Sequence, residues 1–196
     1  MHAKTFAEWS RDRRGMTLVE MMIAVSAFGL IMTVVMGFLV DSRNSYTETR
    51  DRAQTQQSMR AVLSLLTAEV RSAGCDPAAN GFDTFGLADN SSLQARMDLN
   101  GDADVTDNDP DETVTYTFNA GAGELLRDDG GGAQVILRGL TGVTFTYFDV
   151  DGNALGGTPL SAADRARVRS VQILLQGETD RGEPVDYTTR IALRNI

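Results

Sequence analysis

The sequence predicts an α+β protein: one long N-terminal helix packed against one or two antiparallel β-sheets. Three observations predict it. Residues 21–40 form an apolar run without charge or proline. Further on, apolar residues recur at spacings of three and four, at Met59, Val62, Leu63, Leu66 and Val70. That is the stripe of an amphipathic helix. Beyond Pro77 the period falls to two, and β-branched and aromatic residues take over between Gly- and Asp-rich turns.

Twenty helical residues rise about 30 Å, one hydrocarbon core, so 21–40 reads as a transmembrane segment. Ser26 and Thr33 lie inside it, and their hydroxyls can return to the helix backbone. Arg11, Arg13 and Arg14 precede the run and Asp41 follows it. The positive-inside rule therefore puts the N-terminus in the cytoplasm and the C-terminal part across the inner membrane in the periplasm. The helix is expected to continue over 41–73, polar to Gln57, then apolar on one face. Gly74 and Pro77 end it. Strands are expected at 93–97, 113–118, 123–127, 134–138, 143–149, 167–176 and 187–194. Asn119-Ala120-Gly121, Asp129-Gly130-Gly131-Gly132, Asp151-Gly152-Asn153 and Arg181-Gly182 separate them. Short sequential strands with such turns favour antiparallel pairing. The domain organisation read this way is 1–15, 16–40, 41–76 and a β-rich 77–196.

Composition narrows the function. The only histidine is His2 and the only lysine Lys4, both ahead of Gly15. Histidine bases, Ser-His or Cys-His nucleophiles and lysine Schiff bases are then missing from the rest of the chain, so no enzyme is expected. The usual histidine ligands of zinc, copper and iron are missing with them. Cys75 has no second cysteine to pair with. It reads as a small buried apolar residue, with an intermolecular bridge as the alternative. The net charge is −9, which argues against nucleic acid as a partner.

Residues 13–20 read Arg-Arg-Gly-Met-Thr-Leu-Val-Glu, directly before the apolar run. In a secretory signal the apolar segment precedes the cut and is lost with it. Here a basic leader ends at Gly15 and the apolar run follows. This order resembles the class III signal of type IV prepilins and type II secretion pseudopilins. The resemblance implies a pilin-like fold and cleavage by prepilin peptidase between Gly15 and Met16. It also implies N-methylation of Met16, and other pilins as partners through the N-terminal helix. Glu20, the fifth residue after the cut, would pair with the Met16 amine of a neighbouring subunit. Opposite charges in a low-dielectric bundle attract strongly and relieve each other's desolvation. The simpler alternative for Glu20 is a helix-start carboxylate that favours the helix dipole. Gly29 and Gly37 could line one face for close helix approach, or be ordinary membrane-helix glycines.

A second stretch, Leu65-Leu66-Thr67-Ala68-Glu69-Val70-Arg71-Ser72-Ala73-Gly74-Cys75-Asp76-Pro77, resembles the helix end of PilW-type minor pilins. It implies a minor pilin acting in pilus assembly or initiation at the tip complex. The later strands, with Phe145-x-Tyr147-Phe148-Asp149 and Val168-x-x-Val171-x-Ile173-x-Leu175, are similar to the J-type pseudopilin of type II secretion. That is the alternative function, beside a membrane-anchored calcium-dependent adhesion module.

The last expectation is a calcium site. Oxygen donors recur at Asp98, Asn100, Asp102 and Asp104, with Asp107 and Asp109 behind them. The spacing resembles the start of an EF-hand-type loop. Gly101 falls at the fourth position rather than the sixth, and Asp109 stands at the twelfth in place of glutamate. The alternative is a solvated acidic loop. Asp149, Asp151 and Asn153 read as a hairpin turn rather than a cation site.

Overall fold

A computed structural model describes residues 15–102, 104–106, 111–179 and 182–195. The elements run α1 (Leu18–Ser72), β1 (Phe85–Ala88), β2 (Ser92–Arg96), β3 (Thr113–Asn119), β4 (Glu124–Asp128), β5 (Gln134–Arg138), β6 (Leu140–Phe148), α2 (Ala162–Arg165), β7 (Ser170–Glu178) and β8 (Pro184–Ala192). A long N-terminal helix with an apolar first part is thus followed by antiparallel sheets, the α+β, pilin-like architecture. The chain divides into two compact units after Thr47.

In the first unit α1 carries apolar side chains on all sides from Met21 to Val40. Its large apolar side chains from Leu18 to Val40 are 44% to 75% exposed, so nothing among the described residues covers them. The Ser26 hydroxyl donates to Met22 O at 2.8 Å and that of Thr33 to Gly29 O at 2.9 Å. Both satisfy their polar groups within the helix, as a membrane segment requires. This helix is long and apolar enough to cross a membrane.

In the second unit the buried residues of α1 are Met59, Val62, Leu63, Leu66 and Val70, the expected stripe. The helix stops where Gly74 takes a φ of +76°, the left-handed conformation that closes a helix and that glycine adopts without a Cβ penalty. The Gly74 N–H then leaves the helix and donates to Arg96 O at 2.8 Å.

Strands β1 to β5 form one sheet in sequence order, and β6 to β8 form a second. Every neighbouring pair is antiparallel. Burial alternates along β2 and along β6 from Val143, with Leu93 and Ala95 inward on one, and Val143, Phe145 and Tyr147 on the other. These residues, the α1 stripe and Val171, Ile173 and Leu175 of β7 make one core cluster. Tyr147 and Phe85 meet edge to face with ring centroids 6.2 Å apart.

Two elements go beyond the sequence-based expectation. β1 is a four-residue strand containing Gly86, too short and too weakly patterned to register. The connection from β6 to β7 is not a simple turn: residues 149–169 make an excursion that holds α2, capped by the Ser161 hydroxyl accepting from Asp164 N. The strand boundaries differ from expectation by up to three residues, the full three at the starts of β6, β7 and β8.

A close approach of α1 to the second sheet is at Gly177 of β7. A Cβ there would lie 2.3 Å from Met59 Cε and 3.0 Å from Gly139 O. Met59 can shift, but the carbonyl belongs to the backbone. Gly177→Val is expected to destabilise the protein by about 1–3 kcal/mol through overpacking. Thermal melting of the full chain in detergent checks this. An unchanged melting temperature would mean that helix and sheet yield freely at this point.

Candidate functional site

The N-terminal segment is built around Thr17. Its backbone N–H and its hydroxyl both donate to Glu20 Oε2 at 2.9 Å, and Glu20 N donates back to Thr17 Oγ1 at 3.2 Å. This is a reciprocal capping box, Thr-x-x-Glu, which satisfies orphan donors at the start of α1. The signal for it lies in the Thr17-Leu18-Val19-Glu20 spacing, which a reading of this stretch for charge alone passes over. Glu20 therefore has a helix-starting role within its own chain, beside the intersubunit pairing the resemblance implies. Met16 is 70% exposed and sits one residue before the cap. A Cβ added at Gly15, Gly29 or Gly37 would meet nothing within 4 Å. The space beside these glycines is open in the isolated chain.

The stretch 65–77 owes its residue types to where α1 meets the first sheet. Leu66, Val70 and Ala73 are wholly buried. Glu69 turns to the sheet and receives Arg127 in a two-pronged pair, Nη2 to Oε1 at 2.9 Å and Nε to Oε1 at 3.1 Å. The Tyr116 hydroxyl also donates to Glu69, and Arg127 reaches Asp129. Burial, then the bond to Glu69, push the Tyr116 phenol well above its usual range. Arg127 holds the Asp129 carboxyl below the ordinary carboxylate value. Past the helix, the Asp76 carboxylate accepts from Asn80 N and Gly81 N at 3.1 and 2.8 Å. Cys75 is half-buried against the core, with a free thiol.

The acidic loop follows β2. The carboxylates of Asp98, Asp102 and Glu112 converge, with one oxygen from each within 4.8 Å of the others. Asp98 and Glu112 are wholly buried, and Asp102 is exposed. Asn100 Nδ2 donates to Asp102 Oδ2 at 3.0 Å and Asn100 Oδ1 accepts from Asp102 N at 2.8 Å. Asp104 closes its own turn instead, its Oδ1 accepting from Val105 N, Thr106 N and the Thr106 hydroxyl at 2.7–2.8 Å. Those bonds, the Thr106 hydroxyl first, hold its pKa below the usual value. Asp107 and Asp109 lie outside the described residues. Glu112 escapes the sequence pattern as a donor because the EF-hand count reaches its twelfth position at Asp109.

Asp149 is held in a turn, its Oδ1 accepting from Asn153 N and Asp151 N at 2.9 and 3.0 Å. Backbone donation from Asn153 is the main reason its pKa is lowered, and Arg167 at 3.5 Å adds to it. The turn satisfies this carboxylate without a cation.

No curated protein sequence matches the chain. One family model does, over residues 10–36, and it is described as the prokaryotic N-terminal methylation motif. The matched span takes in Gly15, Met16, Glu20 and the first part of α1, so the segment built on the Thr17–Glu20 cap carries a type IV pilin-like signal.

Proposed function

We propose that this chain is a minor pilin of the PilW kind, a non-enzymatic subunit that helps initiate a type IV pilus at its tip. The observation that carries the reading is the methylation motif at 10–36 lying directly on a helix whose apolar surface the described residues leave uncovered. A motif alone would serve any anchored protein. An apolar helix that stays with the chain after processing serves first as an inner-membrane anchor and then as the contact through which subunits stack. In this reading prepilin peptidase cuts between Gly15 and Met16, and the new amine is methylated. The N-terminus faces the cytoplasm and the β-rich part the periplasm. Glu20 then meets the Met16 amine of the next subunit. The Glu69–Arg127 pair supports the PilW assignment within this, since it gives the acidic residue of the 65–77 stretch a structural task.

A second reading is the J-type pseudopilin of a type II secretion system. It is favoured by the pairing of Phe145 with Ile173 and Tyr147 with Val171 on β6 and β7, the two strands that carry that likeness. Deletion of the gene, scored for both piliation and protein secretion, separates the two. Loss of pili alone supports the first reading and loss of secretion alone the second.

Processing is tested on the protein itself. Mass spectrometry of membrane-extracted material is expected to find a methylated Met16 at the N-terminus. A terminus at Met1, or one beyond Val40, would sink the pilin reading. Gly15→Leu is expected to leave the longer precursor in the membrane. Since a side chain at Gly15 meets open space, that effect would come from peptidase recognition and not from misfolding.

A further inference from the structure

Glu112 is a buried carboxylate with one oxygen satisfied and one not. Its Oε1 accepts from Leu99 N at 2.6 Å and Asn100 N at 3.1 Å. Its Oε2 is sealed from solvent and has no hydrogen-bond partner among the described residues. A buried carboxylate oxygen without a partner is costly, and native proteins rarely leave one so. Asp98, equally buried, stands beside it with Oδ1 accepting from Gly101 N at 2.5 Å. Asp102 completes the group from the solvent side. Three carboxylates within 4.8 Å of one another repel strongly in a low-dielectric site. An acidic loop would relax by turning its carboxylates outward. Here two of the three are instead fixed inward by backbone N–H donors.

We propose that Asp98, Asp102 and Glu112 bind a calcium ion that joins the loop after β2 to the start of β3 and the end of α1. Oxygens that share a cation at about 2.3–2.6 Å can be no more than roughly 5 Å apart, and these three meet that limit. The donor set is all oxygen, with no thiolate or imidazole, which selects a hard cation. Two buried carboxylates demand that the ion shed water, which magnesium does reluctantly and calcium readily. Glu112, through Oε2, supplies the closing carboxylate that Asp109 was expected to supply. Exposed Asp102 leaves the ion a way in.

The backbone explains what the ion would stabilise. Asp98 N donates to Cys75 O at 2.8 Å, just past the helix end, and Met97 N donates to Glu112 O at 2.9 Å. A cation on Asp98 and Glu112 therefore clamps three segments already in register. The role is structural, and it stands or falls separately from the filament reading.

The test uses the full chain in detergent, stripped with chelator and titrated with CaCl2 or MgCl2 by calorimetry and thermal melting. One saturable calcium site is expected, with a Kd between about 10⁻⁶ and 10⁻³ M and magnesium at least about tenfold weaker. At a hundredfold excess over Kd the melting temperature should rise by about 5 °C or more. Glu112→Gln keeps the acceptor for Leu99 and Asn100 but loses the charge. It should weaken calcium by roughly tenfold or more, yet melt no lower than wild type in chelator. Asp102→Asn, at an exposed position, should weaken calcium without disturbing the fold. The proposal is overturned by no binding at about 5 mM calcium, by magnesium binding as tightly, or by affinity unchanged in both variants. It is also overturned if Glu112→Gln lowers melting equally with and without calcium, which is what a purely structural hydrogen-bonding role would give.

Discussion

Glu20→Val is expected to leave the protein in the membrane and remove it from the filament. The substitution makes an apolar helix more apolar, so insertion is not impaired. What it deletes is the carboxylate at the helix mouth, the proposed partner of the Met16 amine on a neighbouring subunit. An amine left in the bundle without its counter-charge carries an uncompensated desolvation cost of several kcal/mol, enough to reduce incorporation more than a hundredfold. The capping box complicates this, because valine also removes the bonds from Thr17 to Glu20 Oε2. Losing such a cap costs about 1 kcal/mol. Glu20→Gln resolves the two roles, since glutamine completes a Thr-x-x-Gln box equally well but carries no charge. Sheared filament fractions and cross-linking to other pilins provide the readout. Both variants should be absent from filaments and present in membranes. Normal incorporation of Glu20→Gln would reduce Glu20 to a helix-starting residue.

The largest effect on stability is expected at Glu69. Glu69→Ala strands Arg127 on its Glu69 side and takes the acceptor from the Tyr116 hydroxyl, two groups from β4 and β3 that α1 otherwise satisfies. The Glu69 and Arg127 side chains are only 16% and 19% exposed, so water can compensate only in part. Breaking a fully buried pair costs about 3–5 kcal/mol. With this residual access, about 2–3 kcal/mol is expected, or roughly 5–10 °C in melting temperature for a chain of this size. Replacing both residues, Glu69→Ala with Arg127→Ala, should cost less than the two single losses added together, by about 1 kcal/mol or more. If Glu69→Ala melts within about a degree of wild type, the pair does not hold the helix to the sheet.

Much of the fold is legible in the residues themselves, and the reasons are local. The stripe from Met59 to Val70 has a period set by helix geometry, and it is the face that α1 buries. Gly74 is legible as a helix end because few other residues take a φ of +76° without cost. Seven of the eight strands among the described residues are legible from alternation. β1 is not, since Phe85-Gly86-Leu87-Ala88 offers no run of β-formers, and only β2 beside it makes it a strand. At the candidate sites, Gly15, Met16 and Glu20 sit in a contiguous signal. The Thr17 half of the cap is equally contiguous, but a hydroxyl beside so many charges does not stand out.

What the sequence determined by itself is everything carried by near neighbours: the motif at 10–36, the apolar run behind it, the helix period and the alternation of the strands. Tertiary structure alone decided which distant groups meet. It divided the strands into β1–β5 and β6–β8. It brought Glu69 to Arg127 across 58 positions. It also carried Glu112 back to Asp98 while Asp104 closed on its own turn. The physical reason is the same in each case. A side chain's period is set by the backbone it stands on, whereas a salt bridge or a cation site is set by which segments the core draws together. Burial then makes those meetings consequential, because a carboxylate removed from water must find a partner.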